Sequence, residues 1–194
     1  MLECPSMLYT RKGDAGTTKV FGCDVRISKS SELPEALGAL DELNSFLGLC
    51  KVHARQVQDS GVKIGKKTLS TSDILRDVQE NLFIVQAEVA GASKKVGKAK
   101  VNRIEKIINT IEEEIPPIKS FSIAGGTELS ALLDVARTFA RRAERRLIAV
   151  HDAGIRNVTE HTRAYTNRLS SLLFALARLA NAKSGIVEEN PTYR

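Results

Sequence analysis

An all-α fold, a five-helix antiparallel bundle behind an ordered N-terminal segment, is what this 194-residue sequence predicts. Three observations carry the prediction. Apolar residues recur every three or four positions over five separate stretches, the spacing of one buried helix face. Strand patterns are nearly lacking, and no internal repeat is evident. The links between the stretches are shortish, so successive helices pack side by side. The length lets one domain bury a core without disulfides or a structural metal. Residues 1–194 are therefore read as a single domain, with 1–30 as the N-terminal segment and 31–187 as the bundle.

Residues 1–30 are rich in Gly, Thr, Ser and Lys, with β-favouring pieces around Met7–Tyr9 and Lys19–Phe21. Such specific turn residues predict an ordered loop segment. Ser31 is the expected cap of the first helix, with Pro34 in its first turn and Leu37, Leu40, Leu43, Leu47 and Val52 as its stripe. Residues 61–72 are basic and non-periodic and read as a loop. Ser72 or Asp73 then caps a second helix along Ile74, Leu75, Val78, Leu82, Val85 and Val89. A second basic loop, GASKKVGKAK, leads to a third helix on Val101, Ile104, Ile107, Ile108 and Ile111, stopped by Pro116 and Pro117. Thr127 caps a fourth helix to about Ala153, and Thr159 a fifth to about Lys183, before Gly185.

Composition narrows the function classes. Lys and Arg number 29 against 23 Asp and Glu, a net charge of +6. That balance favours an anionic partner without choosing among nucleic acid, acidic membrane and nucleotide. Aromatics make up 5% and Trp is absent, which argues against a base-stacking surface. No recognition-helix motif supports nucleic-acid binding, and no stretch approaches a membrane span. Cys4, Cys23 and Cys50 are odd in number and scattered, as expected of reduced thiols. The opening MLECPSMLYTRKGD lacks the basic start and apolar run of an export signal, so a cytoplasmic setting is expected. His53, His151 and His161 are not at ligand spacing, and no metal ligands are assigned. His151 stands near a helix end, where a cation complements the dipole. No Ser/His/Asp or Cys/His nucleophile arrangement presents itself. The two Lys/Gly loops read as solvated linkers.

Two constellations could carry chemistry. In Thr10-Arg11-Lys12-Gly13-Asp14-Ala15-Gly16-Thr17-Thr18, the glycines let successive amides face one anion, while hydroxyls and basic side chains add donors and charge. The string is not a Walker loop, and an ordinary Gly-Asp turn fits it as well. The second is the fourth helix, where Arg137, Arg141, Arg142, Arg145 and Arg146 crowd together with Glu144 as the sole acid among them. Unlike charges at these spacings would gain ~0.2–0.5 kcal/mol per pair, so the crowding is a cost that an anion would relieve. Arginine's planar fork holds two phosphate oxygens at once. Taken alone, the helix is equally a basic outer face.

Four strings in order, TRKGDAGTT (10–18), ALGALDELNSFLG (36–48), FSIAGGT (121–127), and ARTFARRAER (136–145) with NRLSSLLFALAR (167–178), resemble the PduO-type ATP:cob(I)alamin adenosyltransferases. The resemblance spans essentially the whole chain and implies a five-helix bundle assembled as a homotrimer with interfacial sites. It also implies transfer of the 5′-deoxyadenosyl group of ATP to cob(I)alamin, with Mg²⁺ needed and triphosphate released. It implies a possible hand-off of the product to an adenosylcobalamin-dependent enzyme. By resemblance the ATP site comprises Thr10, Arg11, Lys12, Gly13, Asp14, Gly16, Thr18, Lys19, Lys29, Arg141, Arg142, Glu144, Arg145 and Asn167. Asp41 and Arg137 match an ion pair formed between subunits. Phe121 matches an aromatic that displaces the corrinoid's lower axial ligand, and Gly125, Gly126 and Ser171 fall on the cobalamin side. Arg137, Arg141, Asp41 and Phe121 are the positions to which the resemblance gives catalytic weight. Cob(I)alamin is itself the nucleophile, which accounts for the missing Ser or Cys. Ser171 stands where the family usually has Asp, Ala124 where it has Pro, and NPTYR where it has a Trp-bearing tail. Those departures motivate an alternative of another class, a catalytically weak ATP- or adenosylcobalamin-binding carrier or sensor of the same fold.

Overall fold

In the computed structural model, which describes residues 8–57 and 61–193, five helices account for most of the chain. They are α1 (Glu32–Gln56), α2 (Thr71–Ala90), α3 (Lys98–Glu114), α4 (Glu128–Asp152) and α5 (Glu160–Lys183). Two short antiparallel hairpins complete the structure, β1 (Thr17–Lys19) with β2 (Arg26–Ser28), and β3 (Val62–Ile64) with β4 (Lys67–Leu69). Helix α1 packs between α2 and α4, and α5 between α4 and α3. The predicted stripes of the first three helices lie in the core, where Leu40, Leu43, Leu47, Leu75, Leu82, Val85 and Ile111 are fully buried together with Leu133, Leu147 and Leu172 of α4 and α5. No helix among the described residues is long and apolar enough to cross a membrane.

Helix α4 starts as its sequence predicts, the Thr127 hydroxyl accepting from the Ser130 amide at 3.1 Å. Three expectations need correction. The α2 cap is Ser70, whose Oγ accepts from the Asp73 amide at 3.1 Å, rather than Ser72 or Asp73. The stretch 61–72 is not all loop: it holds the β3–β4 hairpin, with Val62 buried in the core and Gly65 turning at φ 62°. Val52 is exposed rather than part of the α1 stripe. In the N-terminal segment the strands lie at 17–19 and 26–28, Leu8 and Tyr9 form none, and Met7 lies outside the described residues.

The link between α3 and α4 positions the site. Lys183 near the end of α5 pairs with Glu114 at the end of α3, while Asn181 bonds the start of α4. Residues 115–127 therefore cross over the C-terminal end of α5, and α3 runs parallel to α5 while successive helices alternate in direction.

Candidate active site

The β1–β2 hairpin shapes the first part of the site. Arg11 (φ 58°) and Gly16 (φ 75°) take the left-handed backbone that folds a chain tightly enough for amides to converge on an anion. Turn bonds run from the Asp14 amide to the Arg11 carbonyl (3.2 Å) and from the Gly16 amide to the Gly13 carbonyl (3.1 Å). Lys29 folds back onto this loop. Its amide donates to the Gly16 carbonyl at 2.9 Å, and its ammonium lies so close over Gly13 that a Cβ there would stand 2.9 Å from Nζ. Arg26 holds the loop from β2, donating to the Thr17 hydroxyl (2.9 Å), the Thr17 carbonyl (2.8 Å) and the Lys12 carbonyl. Lys19 pairs with Asp24 at 2.7 Å on the surface, and the Arg11 guanidinium covers the Tyr9 ring at 5.4 Å. Thr10, Lys12 and Asp14 are exposed, and Thr18 is half-buried.

On α4 the arginines sort by partner. Arg137 pairs with Asp134 at 3.2 Å and stands 5.9 Å from the Phe174 ring. Arg142 pairs with Glu42 of α1 and covers Phe139 at 4.8 Å, and Arg146 meets Glu35 of α1 at 3.7 Å. Arg141 and Arg145, one turn apart and exposed, have no carboxylate partner among the described residues. Beside them the Asn167 amide donates to Glu144 at 2.7 Å, tying α5 to α4. Two guanidinium groups on one helix turn, uncompensated, make the strongest anion-binding feature of the bundle.

The third part is the 115–127 loop. Phe121, Ile118 and Ile123 are exposed on it, and Phe121 is 79% accessible. Gly125 (φ 121°) and Gly126 (φ 117°) lie against α5. The Asn181 amide donates to the Gly125 carbonyl (2.9 Å) and accepts from the Thr127 amide (3.0 Å). Arg178 donates to the Pro116 carbonyl (2.9 Å) and to both oxygens of Glu188 (2.9 and 3.2 Å). The tail braces the middle of the loop, its Glu189 carbonyl accepting from the Ile123 amide at 2.8 Å. Loop, α5 and tail line a cavity of about 610 Å³. Ser171 is exposed on α5.

The profile of the cobalamin adenosyltransferase family matches residues 8–180, which takes in the hairpin, the α4 arginines and the 115–127 loop. The chain belongs to the cobalamin adenosyltransferase family. The corrinoid adenosyltransferase of Bacillus subtilis is 36% identical over 183 residues, covering 92% of this chain and 89% of that protein. The corrinoid adenosyltransferase PduO of Citrobacter freundii is 37% identical over 179 residues, 88% of this chain but 49% of its own length. The chain thus spans about half the length of that relative. Among solved structures, a variant PduO-type ATP:corrinoid adenosyltransferase from Lactobacillus reuteri, complexed with cobalamin and ATP, superposes with a TM-score of 0.82. It is 28% identical and covers 96% of this chain and 99% of that one.

Set against this adenosyltransferase family, the predicted residues fall into two groups. Lys29 does meet the Gly13–Gly16 loop, and Glu144 and Asn167 do meet beside Arg141 and Arg145. Among the described residues, however, no hydrogen bond or ion pair joins residues 8–30 to Arg141, Arg142, Arg145 or Asn167. Asp41 lines a groove of about 590 Å³ with Phe21, Leu37 and Phe83 on the α1–α2 side. Arg137 instead faces Asp134 and Phe174. Arg26, Asn181 and Arg178 were not singled out by the sequence. Each has backbone carbonyls or amides among its partners, which leave no mark in residue spacing. His151 accepts at Nδ1 from the Val158 amide (3.3 Å), so it serves a turn. No group of three metal-ligating side chains occurs among the described residues. Cys50 is buried, and burial pushes its thiol up to about 11, which leaves no thiolate at neutral pH.

Proposed function

We infer that this chain transfers the 5′-deoxyadenosyl group of ATP to the cobalt of cob(I)alamin, forming adenosylcobalamin and releasing triphosphate. The observation that carries the reading is the sorting of the α4 arginines: Arg141 and Arg145 stay free of carboxylates while Arg137, Arg142 and Arg146 are paired. In the reaction the cobalt electron pair forms the Co–C5′ bond, the C5′–O bond breaks, and its electrons leave with triphosphate. The protein's task is to align these atoms and stabilise charge on the leaving group. Arg141, Arg145, Lys29 and the Gly13–Gly16 amides supply positive charge and donors. Glu144 and Asn167 orient the arginine face, and Thr10, Arg11, Lys12, Asp14, Thr18 and Lys19 line the phosphate loop. Magnesium accompanies the triphosphate, to which it contributes charge neutralisation. A protein cage is not needed, since Mg²⁺ is commonly held by phosphates with one or two carboxylates. Phe121, projecting from the cross-over loop that ends in Gly125 and Gly126, faces the corrinoid and displaces its lower axial ligand, and Ser171 of α5 belongs to the same corrinoid side.

Residues 1–30 act as the nucleotide segment and 31–187 as the bundle of one catalytic unit. The assembly is a homotrimer whose sites lie between copies. Two facts support this: among the described residues the phosphate loop makes no polar contact with the arginine face of its own chain, and Asp41 lines the α1–α2 groove while Arg137 faces Asp134 and Phe174. A head-to-tail ring brings each together with its partner from the next copy. A cytoplasmic setting supplies ATP and a reducing environment. The deciding experiment combines purified protein, ATP, Mg²⁺ and chemically reduced cobalamin. Adenosylcobalamin and triphosphate are expected in equal amounts. Binding of both substrates without product would overturn the reading in favour of a carrier.

A further inference from the structure

We propose that Asn181 and Arg178, on the last turns of α5, are positioning residues for the corrinoid: they pin the two ends of the 115–127 loop and so set where Phe121 and the paired glycines stand. The inference rests on the reading that this loop faces the corrinoid.

The loop has no regular structure of its own to fix it. Past Ile115, whose amide still donates to the Ile111 carbonyl, Pro116 and Pro117 have no amide N–H and cannot be fastened by donating to a neighbour. The fastening comes from α5 instead. Arg178, whose side chain is 10% accessible, reaches the Pro116 carbonyl with one nitrogen while its Nε is held by both oxygens of Glu188. A charge-assisted N–H shared by both carboxylate oxygens, with a second guanidinium nitrogen on the Pro116 carbonyl, fixes direction as well as distance. At the other end Asn181 is 4% accessible and uses both halves of its amide, one on Gly125 and one on Thr127. Gly126 lies between these two bonds, so close that a Cβ would stand 2.4 Å from the Asn181 oxygen. The paired glycines therefore let the loop settle onto Asn181. Between the pinned ends Ile118, Phe121 and Ile123 turn outward. The anchoring side chains on α5 are buried and polar, while the exposed middle of the loop carries Ile118, Phe121 and Ile123: this is how a loop presents an apolar surface held in place for a ligand.

Neither residue touches the phosphate loop or the free arginines, so their loss has a signature that general loosening lacks. Asn181→Asp keeps the acceptor for Thr127 but puts a carboxylate oxygen against the Gly125 carbonyl. Arg178→Lys keeps the charge but loses the fork. In each variant KM for cob(I)alamin should rise about tenfold or more while KM for ATP stays within about twofold, because ångström displacement near reacting groups is costly. Asn181→Gln should not rescue, since its longer stem cannot fit against Gly126. Should the α5 variants fail to fold, Glu188→Gln weakens the Arg178 anchor from the surface, and corrinoid KM should rise about threefold. A titration of each protein with cob(II)alamin in the presence of ATP reads corrinoid affinity without turnover. Corrinoid KM and affinity unchanged in folded variants, or ATP and corrinoid constants moving together, would overturn the proposal while leaving the adenosyltransferase reading intact. A wild-type protein that binds no corrinoid would overturn both.

Discussion

The β1–β2 hairpin and the 115–127 loop are both non-helical and both exposed, yet they are fastened by opposite means. The hairpin has regular pairing; its polar bonds (the short ladder, Lys29 folding back, and Arg26) lie near the surface, while Val20 and Ile27 pack against the core. The loop has no ladder, but its ends are tied to side chains buried at the end of α5. Regularity and rigidity thus part company here. A phosphate chain is recognised by charge and amide donors, which tolerate adjustment on binding, whereas a flat macrocycle is recognised by shape, which does not.

The largest test of the phosphate half is Arg141→Ala. Removing an uncompensated guanidinium that meets the leaving triphosphate should lower kcat/KM about 10²-fold, or ~3 kcal/mol, with little change in Tm. Steady-state kinetics at saturating cob(I)alamin measure it, and an unchanged rate removes Arg141 from the site. The corresponding test of the corrinoid half is one of stability. Gly126→Ala forces a side chain into φ 117° and against Asn181. A loss of ~2 kcal/mol in urea unfolding is expected. A variant as stable as the parent would mean that the loop is no better anchored than the hairpin.

How far the sequence foretold these halves depended on the range of the contacts. The five helices were legible because a 3.6-residue period is written locally, and Thr127 capped where its hydroxyl suggested. The β3–β4 hairpin was not, because three-residue strands are too short to show alternation, and Gly65 looked like loop punctuation. The cap at Ser70 was missed because three serine or threonine hydroxyls and an Asp offer near-equivalent caps within four positions. The arginine cluster was legible as a cluster, but its division was not. Glu42 lies 100 residues from Arg142, and only the packing of α1 on α4 makes them partners. Arg26, Arg178 and Asn181 escaped for a similar reason, as each acts in part on distant backbone atoms that no side chain records.

Arg26→Ala sharpens the contrast from the hairpin side. Losing its bonds to Thr17 and Lys12 should raise KM for ATP about tenfold, near 1.4 kcal/mol, and leave KM for corrinoid unchanged. If corrinoid binding weakens equally, the two halves are coupled through more than their shared substrates.

The smallest effect is expected at Arg146, and it bears on the sorting of the arginines itself. Arg146 sits next to Arg145 in sequence and has the same chemistry, but it reaches toward Glu35 of α1 at 3.7 Å. Both side chains of that pair are about half-accessible, at 53% and 48%. An exposed ion pair of this kind contributes roughly 0.2–1 kcal/mol, less at high salt. Arg146→Ala should therefore cost about 0.5 kcal/mol of stability or less and leave kcat/KM for ATP within about twofold. Arg145→Ala should raise KM for ATP with stability unchanged. Raising the salt concentration should erase the small stability loss at Arg146, because screening removes the pair's attraction in the parent as well. If Arg146→Ala instead weakens ATP as much as Arg145→Ala does, pairing with α1 does not withdraw an arginine from the anion site. The basic helix would then act as a continuous field rather than through two chosen residues.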